Sequence, residues 1–176
     1  MKVLAINGSP RRGNTEAMLK KVLDGAREAK AQIELVNLRE MKIEHCGGCQ
    51  KCEETGSCRK EDEMMPLYGK LIEADTIVFG SPNYFNNVSG IMKDFIDRTN
   101  PFYKSKSLKG KRLYLLVVGG DEPEACAPVI DSVKRFANFH EMNFIDTFAA
   151  KALMAGDIEK QKETIKKLKQ FGEKLA

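Results

Sequence analysis

The chain has 176 residues, 42% of them hydrophobic and 31% charged, with 29 Lys and Arg against 25 Asp and Glu for a net charge of +4. That length suits one domain able to bury its own core; the composition excludes intrinsic disorder, and no apolar run approaches the ~18 residues of a membrane span. The positive excess gathers in the last helix without a basic stripe interleaved with aromatics, so neither nucleic acid nor a membrane is an expected partner.

Hydrophobic patterning gives an alternating series. KVLAIN at 2–7 is a short apolar run that ends in the turn GSPRRGNT. The opening MKVLAINGSP reads directly as strand and turn. It has neither the apolar core of a signal peptide nor a basic amphipathic transit pattern, and a cytoplasmic location is expected. From 15 to 30, Met18, Leu19, Val22, Leu23 and Ala26 recur at helical spacing. A strand at 32–38 leads into a Cys-rich segment at about 40–61, a helix around 62–73 and a continuous buried strand at 75–81. Val88, Ile91, Met92, Phe95 and Ile96 mark the next helix, and RLYLLVVGG at 112–120 is the longest apolar run, expected as a central strand. PEACAPVIDSVKRFANF leads through a helix to a strand at 142–149, and a helix at about 157–174 closes the series. Five strands alternating with helices predict one doubly wound α/β domain, 1–176, with a parallel sheet covered on both faces. The 40–61 segment is too long for an ordinary strand-to-helix loop, and such loops are usually functional.

Between the first strand and first helix, Gly8-Ser9-Pro10-Arg11-Arg12-Gly13-Asn14-Thr15 combines a Gly-bearing turn with a helix N-terminus, which makes an anion site. Ser9, Thr15, Asn14 and Arg11 add side-chain donors. The spacing imitates a Walker A loop, but Asn14 stands where that loop has its lysine, and G-x-G-x-x-G is absent. A donor-rich loop with neither signature fits a terminal phosphomonoester such as that of FMN; the bland alternative is a capped β–α turn. In the flavodoxin-type strand order 2-1-3-4-5, the loop Gly80-Ser81-Pro82-Asn83-Tyr84-Phe85-Asn86-Asn87 lines the same crevice. Pro82 stiffens it, Tyr84 and Phe85 offer flat apolar surface, and Asn83 offers hydrogen bonds to a heterocycle's edge. Gly119 and Gly120, after the fourth strand, permit close backbone approach to a planar ring. One crevice with a monophosphate at one end and a flat ring at the other describes FMN.

INGSPRRGNT followed by GSPNYFNNVSGIMKDFIDR resembles the NAD(P)H-dependent FMN reductase superfamily of flavodoxin-like proteins, and the likeness in element order spans nearly the whole chain. The resemblance implies Ser9, Arg11, Asn14 and Thr15, with Gly13 in the same loop, on the phosphate. It implies Pro82, Asn83, Tyr84 and Phe85 around the isoalloxazine, with Gly119 and Gly120 near the ring.

Cys46, Cys49, Cys52 and Cys58 read C-x2-C-x2-C-x5-C, the donor set of a [4Fe–4S] cluster, with Gly47, Gly48 and Gly56 where the chain must curl and Lys51 and Arg59 available to offset charge. The spacing resembles iron–sulfur flavoproteins, a branch of the same superfamily. That branch implies electrons passing from a ferredoxin-like donor through the cluster to FMN and on to a small-molecule acceptor, in a homodimer or homotetramer. A four-Cys zinc site and an empty site remain open. With either, the protein reads as an NAD(P)H-dependent FMN or quinone reductase; a non-enzymatic flavodoxin-like electron carrier is the third reading. Because the second strand neighbours the first, the cysteine loop is expected on the flavin rim, near its own FMN or facing a neighbouring subunit's.

Other residues attract structural expectations. His45 reads as a surface or outer-shell group, His140 as a cation capping a helix C-terminus, and Cys126 as a buried small hydrophobe. Asp94, Asp97 and Arg98 read as pairs at helical spacing or a subunit contact, and Met64 and Met65 as packing residues beside the cysteine loop. No Ser/His/Asp set or paired-carboxylate site supports hydrolytic chemistry.

Overall fold

Parallel pairing of Lys2–Asn7 (β1) with Gln32–Asn37 (β2) on one side and Thr76–Pro82 (β3) on the other founds the sheet. Arg112–Gly119 (β4) and Asn143–Lys151 (β5) complete it in the order β2-β1-β3-β4-β5, the flavodoxin-like order that the sequence predicts. The computed structural model describes residues Met1–Ala176. The inner strands β1, β3 and β4 are buried almost throughout, which is why they are unbroken apolar runs; at the edges β2 alternates and β5 is mostly half-buried. A bulge in β5 places Phe144 opposite Leu113 but Asp146 opposite Tyr114, leaving Ile145 as the extra, exposed residue.

Successive strand residues feed two separate cores, as the two-residue period requires. Val3, Ala5, Val78, Tyr114 and Leu116 pack under Asn14–Glu28 (α1) and the C-terminal helices. Leu4, Ile6, Ile77, Phe79 and Leu115 face the other way. There they meet Met64–Glu73 (α3), Gly90–Arg98 (α4) and Ala127–Phe139 (α6), together with Phe102 of the short Pro101–Ser105 (α5). Each fully buried large apolar side chain contributes roughly 1.5–3 kcal/mol. No helix is long and apolar enough to cross a membrane.

Four features go beyond the sequence expectation. The C-terminal helix is two, Asp157–Lys160 (α7) and Lys162–Glu173 (α8), divided at Gln161, whose ψ of 80° is not helical. The cysteine segment contains a one-turn helix, Lys51–Thr55 (α2), and α5 follows α4 after a tight turn. Finally, α8 crosses α1 at backbone contact: a Cβ on Gly172 would lie 1.9 Å from the Val22 carbonyl oxygen, and one on Gly25 2.1 Å from that of Lys169.

Candidate functional site

A cleft of about 240 Å³ opens at the C-terminal ends of β1, β3 and β4, where open parallel sheets bind ligands. It is lined by Ser9, Arg11, Asn14, Thr15, Pro82, Asn83, Tyr84, Gly119 and Gly120. Two candidates lie outside the lining. Gly13 is the N-cap of α1, and Phe85 projects fully into solvent. Phe85 and Asn86 both take positive φ, 49° and 61°, at the tip of a tight turn closed by hydrogen bonds between Tyr84 and Asn87. That backbone directs the Phe85 ring away from the cleft.

The anion end combines fixed donors with residues that fix them. No side chain caps the N-terminus of α1, so its first backbone N–H groups are free for an anion. Ser9 is occupied within the loop, its Oγ donating to the Arg11 carbonyl at 2.7 Å. Both ends of the Asn14 amide are also used: Nδ2 donates to the Met154 carbonyl at 2.9 Å and Oδ1 accepts from the Ile158 N–H at 3.3 Å. Asn14 therefore ties the loop after β5 to the cleft. Glu16 sits behind, and although burial opposes its charge, the Lys20 hydrogen bond and the Arg39, Lys20 and Arg12 charges hold its carboxyl below the usual range. At the other end, Asn83 Nδ2 donates to the Ala125 carbonyl at 3.2 Å, while its buried Oδ1 has no partner. A buried acceptor without a donor is costly unless a ligand supplies one, and a flavin ring edge carries an N–H. The donor-rich anion end and the orphaned acceptor together fit FMN.

Sequence reading missed the third wall, formed by Ala152, Leu153 and Ala155 of the loop after β5, together with Val118. Its available signal was ALMAGD: Leu153 and Met154 are large apolar residues left exposed, and Asp157 accepts from both their N–H groups while Gly156 turns at φ 87°.

All four clustered cysteines are free and line a second cavity, of about 360 Å³, together with Gly47, Gly48, Arg59, Lys60, Asp97 and Asn100. The left-handed residues Gly48, Gln50 and Gly56 curl the loop around it. The four unpaired thiols open onto this one volume, and four cysteine sulfurs are a donor set that suits zinc or an iron–sulfur cluster. Lys51 is turned to Glu54 at 2.7 Å and Lys60 is paired with Glu44, which leaves Arg59 as the lining cation without a carboxylate partner.

Only the start of this segment meets the flavin rim, where Arg39 pairs with Glu16 at 3.0 Å. The chain then runs beside α4, with His45 Nδ1 2.6 Å from Asp94 and Glu44 donating its N–H to Asp62 at 2.9 Å. The cysteines end against the last residues of α4. Ser89 caps the other end of this helix, accepting from Met92 N–H and donating to the Gly8 carbonyl beside the phosphate loop. Nine helical residues at about 1.5 Å each separate the two sites by roughly 14 Å, so the cysteine cavity is a helix length from the rim, not on it.

Arg98 pairs with Asp62, not along its own helix, and the pair is buried. Asp97 does pair at helical spacing, with Lys93 at 2.6 Å. Met64 is core and Met65 is exposed, while Cys126 is buried, its thiol pushed up by burial. His140 is not a capping cation. It is 5% exposed, and burial together with the nearby Lys106 charge pushes its pKa down to about 4.

Residues 1–154 match the family model described as NADPH-dependent FMN reductase. An iron-sulfur flavoprotein of Archaeoglobus fulgidus is 34% identical over 179 residues, covering 100% of this chain and 79% of its own. Another from the same organism is 40% identical over 99 residues, covering 56% of this chain and 49% of its own, so the match spans about half of that relative. Among solved structures, a flavone reductase superposes with a TM-score of 0.77 at 23% identity over 99% of this chain and 62% of its own, a likeness of fold.

Proposed function

Because the chain belongs to the NADPH-dependent FMN reductase family of flavin-dependent oxidoreductases, and within it to the iron–sulfur flavoproteins, we propose that it carries FMN in the β1/β3/β4 cleft and a [4Fe–4S] cluster in the four-cysteine cavity. In this reading it takes electrons from a ferredoxin-like carrier and passes them to a small-molecule acceptor. The observation that carries it is that Cys46, Cys49, Cys52 and Cys58 share one cavity in a chain that also builds a phosphate-and-ring cleft.

When bound, FMN supplies two-electron or one-electron exchange and the cluster supplies one-electron exchange. The protein's own work is binding and orientation. The free N–H groups at the start of α1, the Thr15 hydroxyl and Arg11 hold the phosphate; Ser9 and Asn14 keep those donors in place. Asn83 offers its orphaned Oδ1 to the ring edge, Tyr84 and Pro82 cover one flank, and Gly119 and Gly120 let the backbone lie close. The four cysteine thiolates would hold the irons, with Arg59 on the cavity to moderate the site's negative charge. A helix length between the two sites of one chain favours a homodimer or homotetramer in which the cavity of one subunit faces the cleft of another.

The donor distinguishes this reading from an NAD(P)H-dependent reductase with vacant or zinc-bound cysteines. Flavin absorbance is followed after anaerobic mixing of the loaded protein with reduced ferredoxin or with NADPH. Reduced ferredoxin is expected to bleach the flavin faster than NADPH does, and Cys49→Ser to abolish that route while FMN stays bound. Fast bleaching by NADPH alone, unaffected by Cys49→Ser, would instead establish the reductase reading.

A further inference from the structure

The turn that closes α4 places a donor against a cysteine sulfur. Asn100 Nδ2 lies 3.1 Å from Cys52 Sγ. Nothing else in the structure uses that amide: Asn100 is the N-cap of α5, yet its side chain makes no capping bond and its φ and ψ of −51° and −33° are helical, so an alanine would fit the same backbone. Two residues earlier, Arg98 is 1% exposed with both terminal nitrogens committed to Asp62 and one also to the Glu44 carbonyl, while its buried Nε–H has no partner. Burial opposes the Arg98 charge, but the hydrogen bonds to Asp62 and its negative charge more than offset it and keep the guanidinium charged. Thr99, between the two, donates to the Ile96 carbonyl at 2.7 Å and contacts His140 Nε2 at 3.0 Å, which fixes the turn from both sides.

We propose that this turn is the outer shell of the four-cysteine site, with Asn100 as the positioning residue that donates to the Cys52 sulfur and thereby raises the reduction potential of the cluster held there. The inference rests on the function proposed above. Taking up one electron adds one negative charge, shared among the irons and their sulfurs. A donor that strengthens as that charge builds stabilises the reduced form. Hydrogen bonds of this kind also orient the ligand itself.

The test is a redox titration, read by electron paramagnetic resonance of the reduced cluster, on the full FMN-loaded chain as wild type, Asn100→Ala and Asn100→Asp. Iron, sulfide and flavin are assayed in each. Asn100→Ala is expected to shift the cluster midpoint to more negative potential, and Asn100→Asp further in the same direction because it sets a carboxylate beside the sulfur. The flavin content and flavin midpoint should stay at wild-type values. Cluster midpoints equal to wild type in both variants, with iron retained, overturn the inference while leaving the proposed function intact. If Asn100→Ala fails to retain iron, the Asn100→Asp midpoint alone decides in the same way. A wild type that stays free of iron and sulfide after anaerobic reconstitution overturns the proposed function, and this inference with it.

Discussion

At the end of α6, His140 packs against Phe136 with ring centroids 4.7 Å apart and the rings tilted by 56°, and it meets Thr99 Oγ1 through Nε2. Burial lowers the folded-state pKa to about 4 from the ordinary 6.5, so between those values the unfolded chain binds the extra proton and the folded one does not. Its contribution is therefore complete above pH 6.5 and is lost as pH falls toward 4, on the order of 3 kcal/mol in all. Denaturation of wild type and His140→Asn at pH 7 and pH 4.5 checks this: the wild type should lose more stability between the two than the variant, and parallel losses would contradict it. The sequence showed only a histidine at the end of a helical pattern, where a cation is the ordinary guess. What reversed it is a long-range contact with the α4–α5 turn, which no local pattern carries. Asn14 illustrates the same limit. Its position in the loop was legible, but its bonds to Met154 and Ile158, far along the chain, were not.

Among the elements, α4 bridges the two sites, anchored by Ser89 to Gly8 at one end and touching the cysteine cavity through Asp97 and Asn100 at the other. Its apolar spacing announced the helix, whereas the Ser89 cap at its start is seen only in the structure. The turn into α5 was not legible, because Pro101 reads as a terminator and gives no sign that another helical turn follows. The crossing of α1 and α8 is a second element-scale feature. Both Gly25 and Gly172 sit within helices, where glycine costs about 1 kcal/mol relative to alanine, so local propensity alone favours Gly172→Ala. The Val22 carbonyl at 1.9 Å from the added Cβ is backbone and cannot rotate aside, so the helices must part. We expect Gly172→Ala to lower stability by roughly 1–3 kcal/mol. Gly69→Ala in α3, where the new methyl meets nothing within 4 Å, should raise it by about 0.5–1 kcal/mol. Urea titrations of the two variants should move in opposite directions, and a stabilised Gly172→Ala would show the crossing to be loose.

For the molecule as a whole, sheet order and a cleft at the strand ends were legible because parallel α/β folds place such clefts by topology, and the alternating apolar runs fix that topology. Where the cysteines lie was not legible. Adjacency of β2 to β1 puts the start of their segment on the rim, but the contacts of His45 with Asp94 and of Asp62 with Glu44 and Arg98 carry it to the far end of α4. Those contacts join residues 18 to 49 positions apart. The resulting molecule holds two separate cavities whose donor sets differ in kind, oxygen and nitrogen at one and sulfur at the other. The most direct measurement is the iron, sulfide and FMN content of anaerobically purified protein, taken with its absorption spectrum before and after dithionite. About four irons, four sulfides and one FMN per chain, with broad absorbance beneath the flavin bands that dithionite bleaches, are the predicted result. One FMN per chain with no iron, reproducibly and after anaerobic reconstitution, would contradict the two-centre account.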